Sequence, residues 1–171
     1  NKLYEMGFEM VIIDLAPSWN IYTSNAITCS NTLVSPLECR IAHYRNIKEF
    51  INQLDRFSKK MRLGELNRLF VPTKVSHHRK ISVQIRDFYK ENIEGCTKSS
   101  IRESIVGEEA VANRLSFIES SNKVVSEDIR EFLIELNDVL NPEVKQRAEQ
   151  TIELNVVNTE NSESRLQHST V

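Results

Sequence analysis

Glycine is scarce in this chain, with four in 171 residues. No Gly-x-x-x-x-Gly-Lys-[Ser/Thr] phosphate loop and no Gly-x-Gly-x-x-Gly dinucleotide loop occurs among them, which counts against a kinase or reductase built on either loop. Cysteine is scarce too, and odd in number. Cys29, Cys39 and Cys96 show no Cys-x-x-Cys spacing. A disulfide framework or zinc knuckle is therefore not expected, and core-packed thiols in a reducing cytoplasm are. His77-His78 has no third ligand at a suitable spacing, so no metal site is expected there. No apolar run approaches the roughly 20 residues that span a bilayer. Residues 1–5 lack the apolar stretch and cleavage pattern of a secretory signal. Charge of one sign is not in excess either, since the net is −2.

A composition that is 40% hydrophobic can bury one core over this length, which argues for one domain. The organising stretch is residues 8–18, Phe-Glu-Met-Val-Ile-Ile-Asp-Leu-Ala-Pro-Ser. Met10, Val11, Ile12 and Ile13 run without alternation, the pattern of a strand buried on both faces of a parallel sheet. Asp14 follows at once. In open α/β sheets ligands bind beyond the carboxyl ends of strands, so Asp14 is placed at the lip of a site, where a carboxylate can hold Mg²⁺ directly or through a water. A plain alternative stands beside this: a polar turn in which Asp14 caps the next helix. A central strand needs neighbours on both sides, so a further N-terminal portion is expected before Asn1.

Along the rest of the chain, residues 1–9 read as a helix end with Gly7 just past it. A short helix is expected over 19–30 and a strand over 32–37, stopped by Pro36. Apolar steps of three and four through Tyr44, Ile47, Phe50, Ile51, Leu54 and Phe57 predict a long amphipathic helix over 40–61. A strand over 66–71 ends at Pro72. Helix 79–91 follows, with Ile81, Ile85 and Phe88 on its inner face. A short edge strand is expected near 97–101, a helix over 104–113 and an extended piece over 115–119. Ser126 is expected to cap a last helix with Ile129, Phe132, Leu133, Leu136 and Leu140 buried. Residues 141–171 read as a polar tail, helical in part over 143–153 and disordered beyond. Strands alternating with helices over 10–140 imply an α/β fold with a mostly parallel sheet flanked by helices.

Three pieces in order carry a resemblance: Val11-Ile12-Ile13-Asp14 with Leu15-Ala16-Pro17-Ser18, the segment Asn20 to Ala26 ending Ser24-Asn25-Ala26, and Leu69-Phe70-Val71-Pro72-Thr73-Lys74. Together they resemble the C-terminal portion of ParA-type partition ATPases, the deviant-Walker family that includes the MinD cell-division ATPases. The resemblance covers residues 8 to about 140 and implies a partial P-loop NTPase-like domain over 1–140. Ala16 stands where the family commonly has a proline, and Leu115 where a glycine is frequent. The family's N-terminal phosphate loop is absent, so the chain is expected to be an N-terminally truncated fragment, or a degenerate copy, without ATPase activity of its own.

The resemblance implies roles by position. Asp14 would help position Mg²⁺ and the attacking water in the complete protein, while Pro72, Thr73 and Arg102 would border the adenine of ATP. Relatives dimerise on ATP, bind DNA non-specifically, work with a ParB-like centromere-binding protein and lie in the cytoplasm on the nucleoid. Between Lys74 and Glu103 there are seven Lys or Arg against four Asp or Glu. Arg79, Lys80 and Arg86 are the DNA-contact candidates, acting by counterion displacement. A merely solvated face is the plain alternative. A second reading of another class is a non-catalytic interaction module that keeps the fold without handling nucleotide.

Overall fold

The computed structural model describes residues 2–104, 110, 112–119 and 123–143. The elements, in order, are α1 (Lys2–Glu5), α2 (Ile21–Cys29), β1 (Thr32–Glu38), α3 (Ile41–Met61), β2 (Asn67–Thr73), α4 (Lys80–Asn92) and α5 (Lys123–Leu140). This is a mixed α/β arrangement in which a parallel two-stranded sheet is flanked by helices, as in part of a P-loop NTPase-like domain.

Between α1 and α2 the expected strand over 10–14 does not form. Gly7 closes α1 in the left-handed region at φ 85°, as its position suggested. The following residues are coil with no strand partner among the described residues. Val11 is 53% and Ile12 84% exposed. Four consecutive apolar residues state a preference for burial on both faces, but a strand also needs partners for its backbone groups, and none of the described residues offers them.

Strands β1 and β2 pair in parallel from Thr32↔Asn67 to Glu38↔Thr73. Asn67 donates to the Asn31 carbonyl at 3.0 Å and Cys39 to the Thr73 carbonyl at 2.9 Å. Backbone groups alternate sides along a strand, so the odd-numbered residues of β1 face β2 and the even-numbered ones face the outer edge. Pro36 is even. Its missing N–H falls on that outer edge, so the strand runs through it to Glu38 instead of stopping there.

Pro72 explains the other side of the sheet. Strand β2 also runs through its proline, to Thr73, where the sequence suggested a stop. On the edge away from β1, Phe70 donates to Gly95 O at 2.9 Å and accepts from Thr97 N at 2.9 Å, and Pro72 O accepts from Ile101 N at 2.8 Å. The donor that should fill the gap between these bonds belongs to Pro72 and does not exist. The expected edge strand near 97–101 is consequently reduced to two isolated parallel bridges, Phe70↔Cys96 and Val75↔Arg102. Between them the chain leaves the ladder, and the Glu135 carboxylate of α5 takes the freed amides of Lys98 at 2.8 Å and Ser99 at 2.5 Å. Gly95 makes this approach possible. It sits at φ 81°, and a Cβ there would lie 2.4 Å from the Arg68 carbonyl oxygen.

The core lies where α3 and α4 meet the sheet: Leu37, Cys39, Leu54, Phe70, Val75, Ile85, Tyr89 and Ile93, joined by Ile27 of α2. Phe50 meets Phe70 edge-on with ring centres 6.5 Å apart, and Trp19 meets Phe57 at 5.4 Å. The inner stripe of α4 is Ser82, Ile85 and Tyr89; Ile81 and Phe88 are exposed. The helix is turned because Ser82 Oγ, accepting from Ser76 N–H at 3.0 Å, and the Tyr89 ring both find inward partners. In α5 the buried residues are Val125 and Asp128, while Leu133 is exposed. Ser126 is not its cap: it lies inside the first turn and donates to Lys123 O at 2.9 Å. Residues 115–119 form a turn instead of an extended piece, closed by Glu119 N to Ser116 O at 3.1 Å. The expected helix over 104–113 falls largely outside the described residues, as does the polar tail beyond residue 143.

Candidate functional site

The first cleft is built by the turn that starts α2. Asn20 Oδ1 accepts from the amides of Tyr22 at 2.9 Å and Thr23 at 3.1 Å, capping the helix. Thr23 Oγ1 donates to Ser18 O at 2.7 Å, and Asn20 Nδ2 to Ser18 Oγ at 3.0 Å, fixing the Pro17-Ser18 turn from both sides. The cap is therefore Asn20, not Asp14. Asp14 is left exposed in a cleft of about 530 Å³ together with Asn20, Thr23, Asn25 and Cys29.

Oxygen donors of this kind suit a hard cation. Mg²⁺ characteristically takes one or two carboxylates and keeps waters and phosphate oxygens as its other ligands, so Asp14 fits a contact made directly or through water. Among the described residues no three His, Cys, Asp or Glu side chains converge on one point. The other ligands of such an ion would have to be waters and phosphates.

The second cleft, about 540 Å³, opens beyond the carboxyl end of β2 and is lined by Ser76, His77, His78, Arg79, Arg102 and Glu103 among others. Its charges are already paired. Arg102 is clamped to Asp128 of α5: Nη2 lies 2.5 Å from Oδ1, Nε lies 2.8 Å from Oδ2, and its backbone N–H donates to Oδ2 at 2.9 Å. The hydrogen bonds that it donates to Asp128 hold the guanidinium more firmly protonated than usual, against the opposing effect of burial. Glu103 takes two arginines at once, Arg40 at 2.5 Å and Arg79 at 2.6 Å. Next to it Glu38, the last residue of β1, is bonded by the Lys74 ammonium and faces His43 at 3.3 Å. The Lys74 hydrogen bond holds the Glu38 carboxyl below the ordinary carboxylate range, with burial pulling the other way.

The residues singled out in the sequence are thus distributed between two places. Asp14 lines the first cleft; Arg79 and Arg102 line the second. Pro72 is almost fully buried inside β2 opposite Leu37, so its ring is core and not a cleft wall. Thr73 ends β2 with its carbonyl taken by Cys39. Lys80 opens α4 and is exposed. Arg86 turns to its neighbour Asp87 at 2.7 Å with a side chain only 21% exposed, so it presents little charge to solvent. Sequence reasoning missed Asn20, whose place just before an apolar helix was a readable cap signal. It also missed Glu38, Glu103 and Asp128, whose arginine and lysine partners are distant in sequence. Of the thiols, Cys39 is buried as expected, whereas Cys29 is exposed in the first cleft.

Residues 2–67 match the family model of an AAA domain. The AAA-domain match takes in α1, the Asp14 cleft, α2, β1 and α3, and stops at the first residue of β2. The second cleft lies beyond it. For the matched part, the likeness to an AAA domain suggests nucleotide handling of the ATPase type, generally with Mg²⁺, and Asp14 is the described carboxylate in a cleft of that part. No curated protein matches the chain. No helix of the described residues is long and apolar enough to cross a membrane.

Proposed function

We propose that the chain is the C-terminal portion of a ParA-type ATPase domain that works in DNA partition. In the complete protein it would dimerise on ATP, bind DNA without sequence preference and act with a ParB-like centromere-binding partner on the nucleoid. The observation that carries this reading is Asp14, exposed beside the Asn20-capped start of α2 inside the segment that resembles an AAA domain. There it can hold Mg²⁺ directly or through a water, while the metal and positioned phosphates supply the charge neutralisation that phosphoryl transfer needs. The phosphates themselves would be held by a glycine-rich loop that these 171 residues do not contain. Arg102, fixed by Asp128, and Thr73 would stand at the adenine side of the site. DNA contact would fall on Arg79 and Lys80.

The alternative is a non-catalytic interaction module that keeps the fold without handling nucleotide. One measurement on the chain separates the readings, since Mg²⁺-ATP turnover is expected at background in both. It is the anisotropy of a labelled random duplex, expected under the partition reading to show binding that weakens steeply with salt and that R79Q/K80Q lowers equally for unrelated sequences. A chain that ignores duplex DNA at low salt removes the partition reading and leaves the module.

A further inference from the structure

The carboxylate of Glu103 occupies a position that the rest of the molecule has made fit for an anion. Its two oxygens are taken by Arg40 and Arg79, which immediately precede α3 and α4, and neither arginine makes a side-chain cap bond. Each guanidinium sits at a helix start, where positive charge is locally unfavourable and a nearby anion is welcome. Lys80 is the next residue after Arg79, and the cleft wall adds His77 and His78. Glu103 itself is 30% exposed in its side chain, and the two arginines are 46% and 55% exposed, so all three meet solvent.

From this geometry we infer that Glu103 is an internal substitute for a DNA phosphate, which must let go of Arg79 and Arg40 before a phosphodiester can take its place. The inference rests on the DNA-binding part of the proposed function. The chemistry is an exchange of one oxyanion for another on the same two guanidiniums, since both carboxylate and phosphate accept bidentate or bridging arginine bonds. The exchange costs little because the pairs are solvent-exposed, and exposed ion pairs contribute modestly to stability. It also makes binding conditional. With Glu103 seated, one of the two guanidinium charges is offset and both arginines are occupied as donors. With it released, both guanidiniums are open to a phosphodiester.

The experiment compares duplex affinity for the full chain, E103Q, E103A and E49Q over a series of salt concentrations. E49Q is the control, because it removes the same charge and frees Arg56 from its 2.7 Å pair on α3, away from the cleft. Glu103→Gln keeps the side-chain shape; E103A guards against a glutamine that still bridges the arginines, and a thermal scan of each variant shows that it is folded. The expected result is about tenfold tighter binding for both Glu103 variants at low salt, with a salt slope steeper by about one to two phosphate contacts. E49Q should stay within about twofold of the parent, the range of a distant, screened charge. Parent-like affinity and slope in folded E103Q and E103A overturn the inference while leaving DNA binding intact. An equal gain in E49Q overturns it in favour of a simple net-charge effect. Loss of the idea together with its premise would show differently, as no duplex binding by any of the four proteins.

Discussion

Asp128 and Arg102 meet through both side chain and main chain: one carboxylate receives the guanidinium in a fork and the Arg102 backbone N–H as well. Asp128 is 5% exposed and is one of two described residues of α5 that are buried. Together with Glu135, two turns along the same face, it fastens α5 to the segment that runs beside β2. Carboxylates gripping backbone amides thus add to the burial of Val125 in attaching the helix.

The first prediction concerns this clasp. Asp128→Asn removes the charge but keeps the shape, leaving Arg102 without its counter-ion. Breaking a buried pair costs about 3–5 kcal/mol, and the partial exposure of Arg102 reduces the expected loss to about 2 kcal/mol. E135Q should cost less, about 1 kcal/mol, because a neutral amide oxygen still accepts one of the two amide bonds. Urea midpoints at neutral pH read both. Equal and negligible shifts would mean that α5 is held by something other than these carboxylates.

Glycine positions give a second, sharper contrast. Gly95→Ala places a Cβ 2.4 Å from the Arg68 carbonyl oxygen at a φ of 81°, so it should cost about 2 kcal/mol or more and disturb the adjoining Phe70↔Cys96 bridge. Gly64→Ala meets nothing within 4 Å, and its expected effect is within about 0.5 kcal/mol. Thermal unfolding of the pair decides; similar losses at the two positions would contradict the described course of the chain at Gly95.

Alkaline pH is the third lever. Burial, the leading cause in each case, pushes the Cys39 and Cys96 thiols up to about 11 and the Tyr89 phenol up to about 12. These groups lose protons more readily when the chain unfolds, so the unfolded state binds fewer protons than the native state above pH 9, the ordinary thiol value. Their contribution is then complete below pH 9 and falls away as pH rises through 11. The unfolding temperature should drop over that window, and the drop should be shallower in C39A/C96A. Exposed Cys29 should react with a maleimide at neutral pH while Cys39 does so only on unfolding. A flat temperature profile from pH 9 to 11 would refute the burial of these groups.

The long helix and the two paired strands could be read from the chain because their signals are local. Apolar steps through Tyr44 to Phe57 specify α3 to within a residue of its start, and β-branched and aromatic runs mark β1 and β2. What was not legible depends on partners. Met10 to Ile13 announce burial without saying what would cover them. The prolines at 36 and 72 read as stops because the sequence does not show which edge of a strand a missing N–H will face. The α4 stripe was misjudged by one residue, since the attraction of Ser76 for Ser82 is a contact across a loop and not a periodicity. At the site, Asp14 was visible as a carboxylate after an apolar run. The bridge from Glu103 to Arg40 spans 63 positions and leaves no trace in local composition.

Pro36 has one more consequence, for the company β1 can keep. Thr32, Val34 and Glu38 turn their amides to the outer border of the sheet, but the rung between Val34 and Glu38 is missing. A foreign strand laid along that border would therefore break step halfway, the same interruption that Pro72 imposes on the opposite side. The small sheet is fenced by an imino acid on each flank, which denies a stray peptide an unbroken template on which to stack.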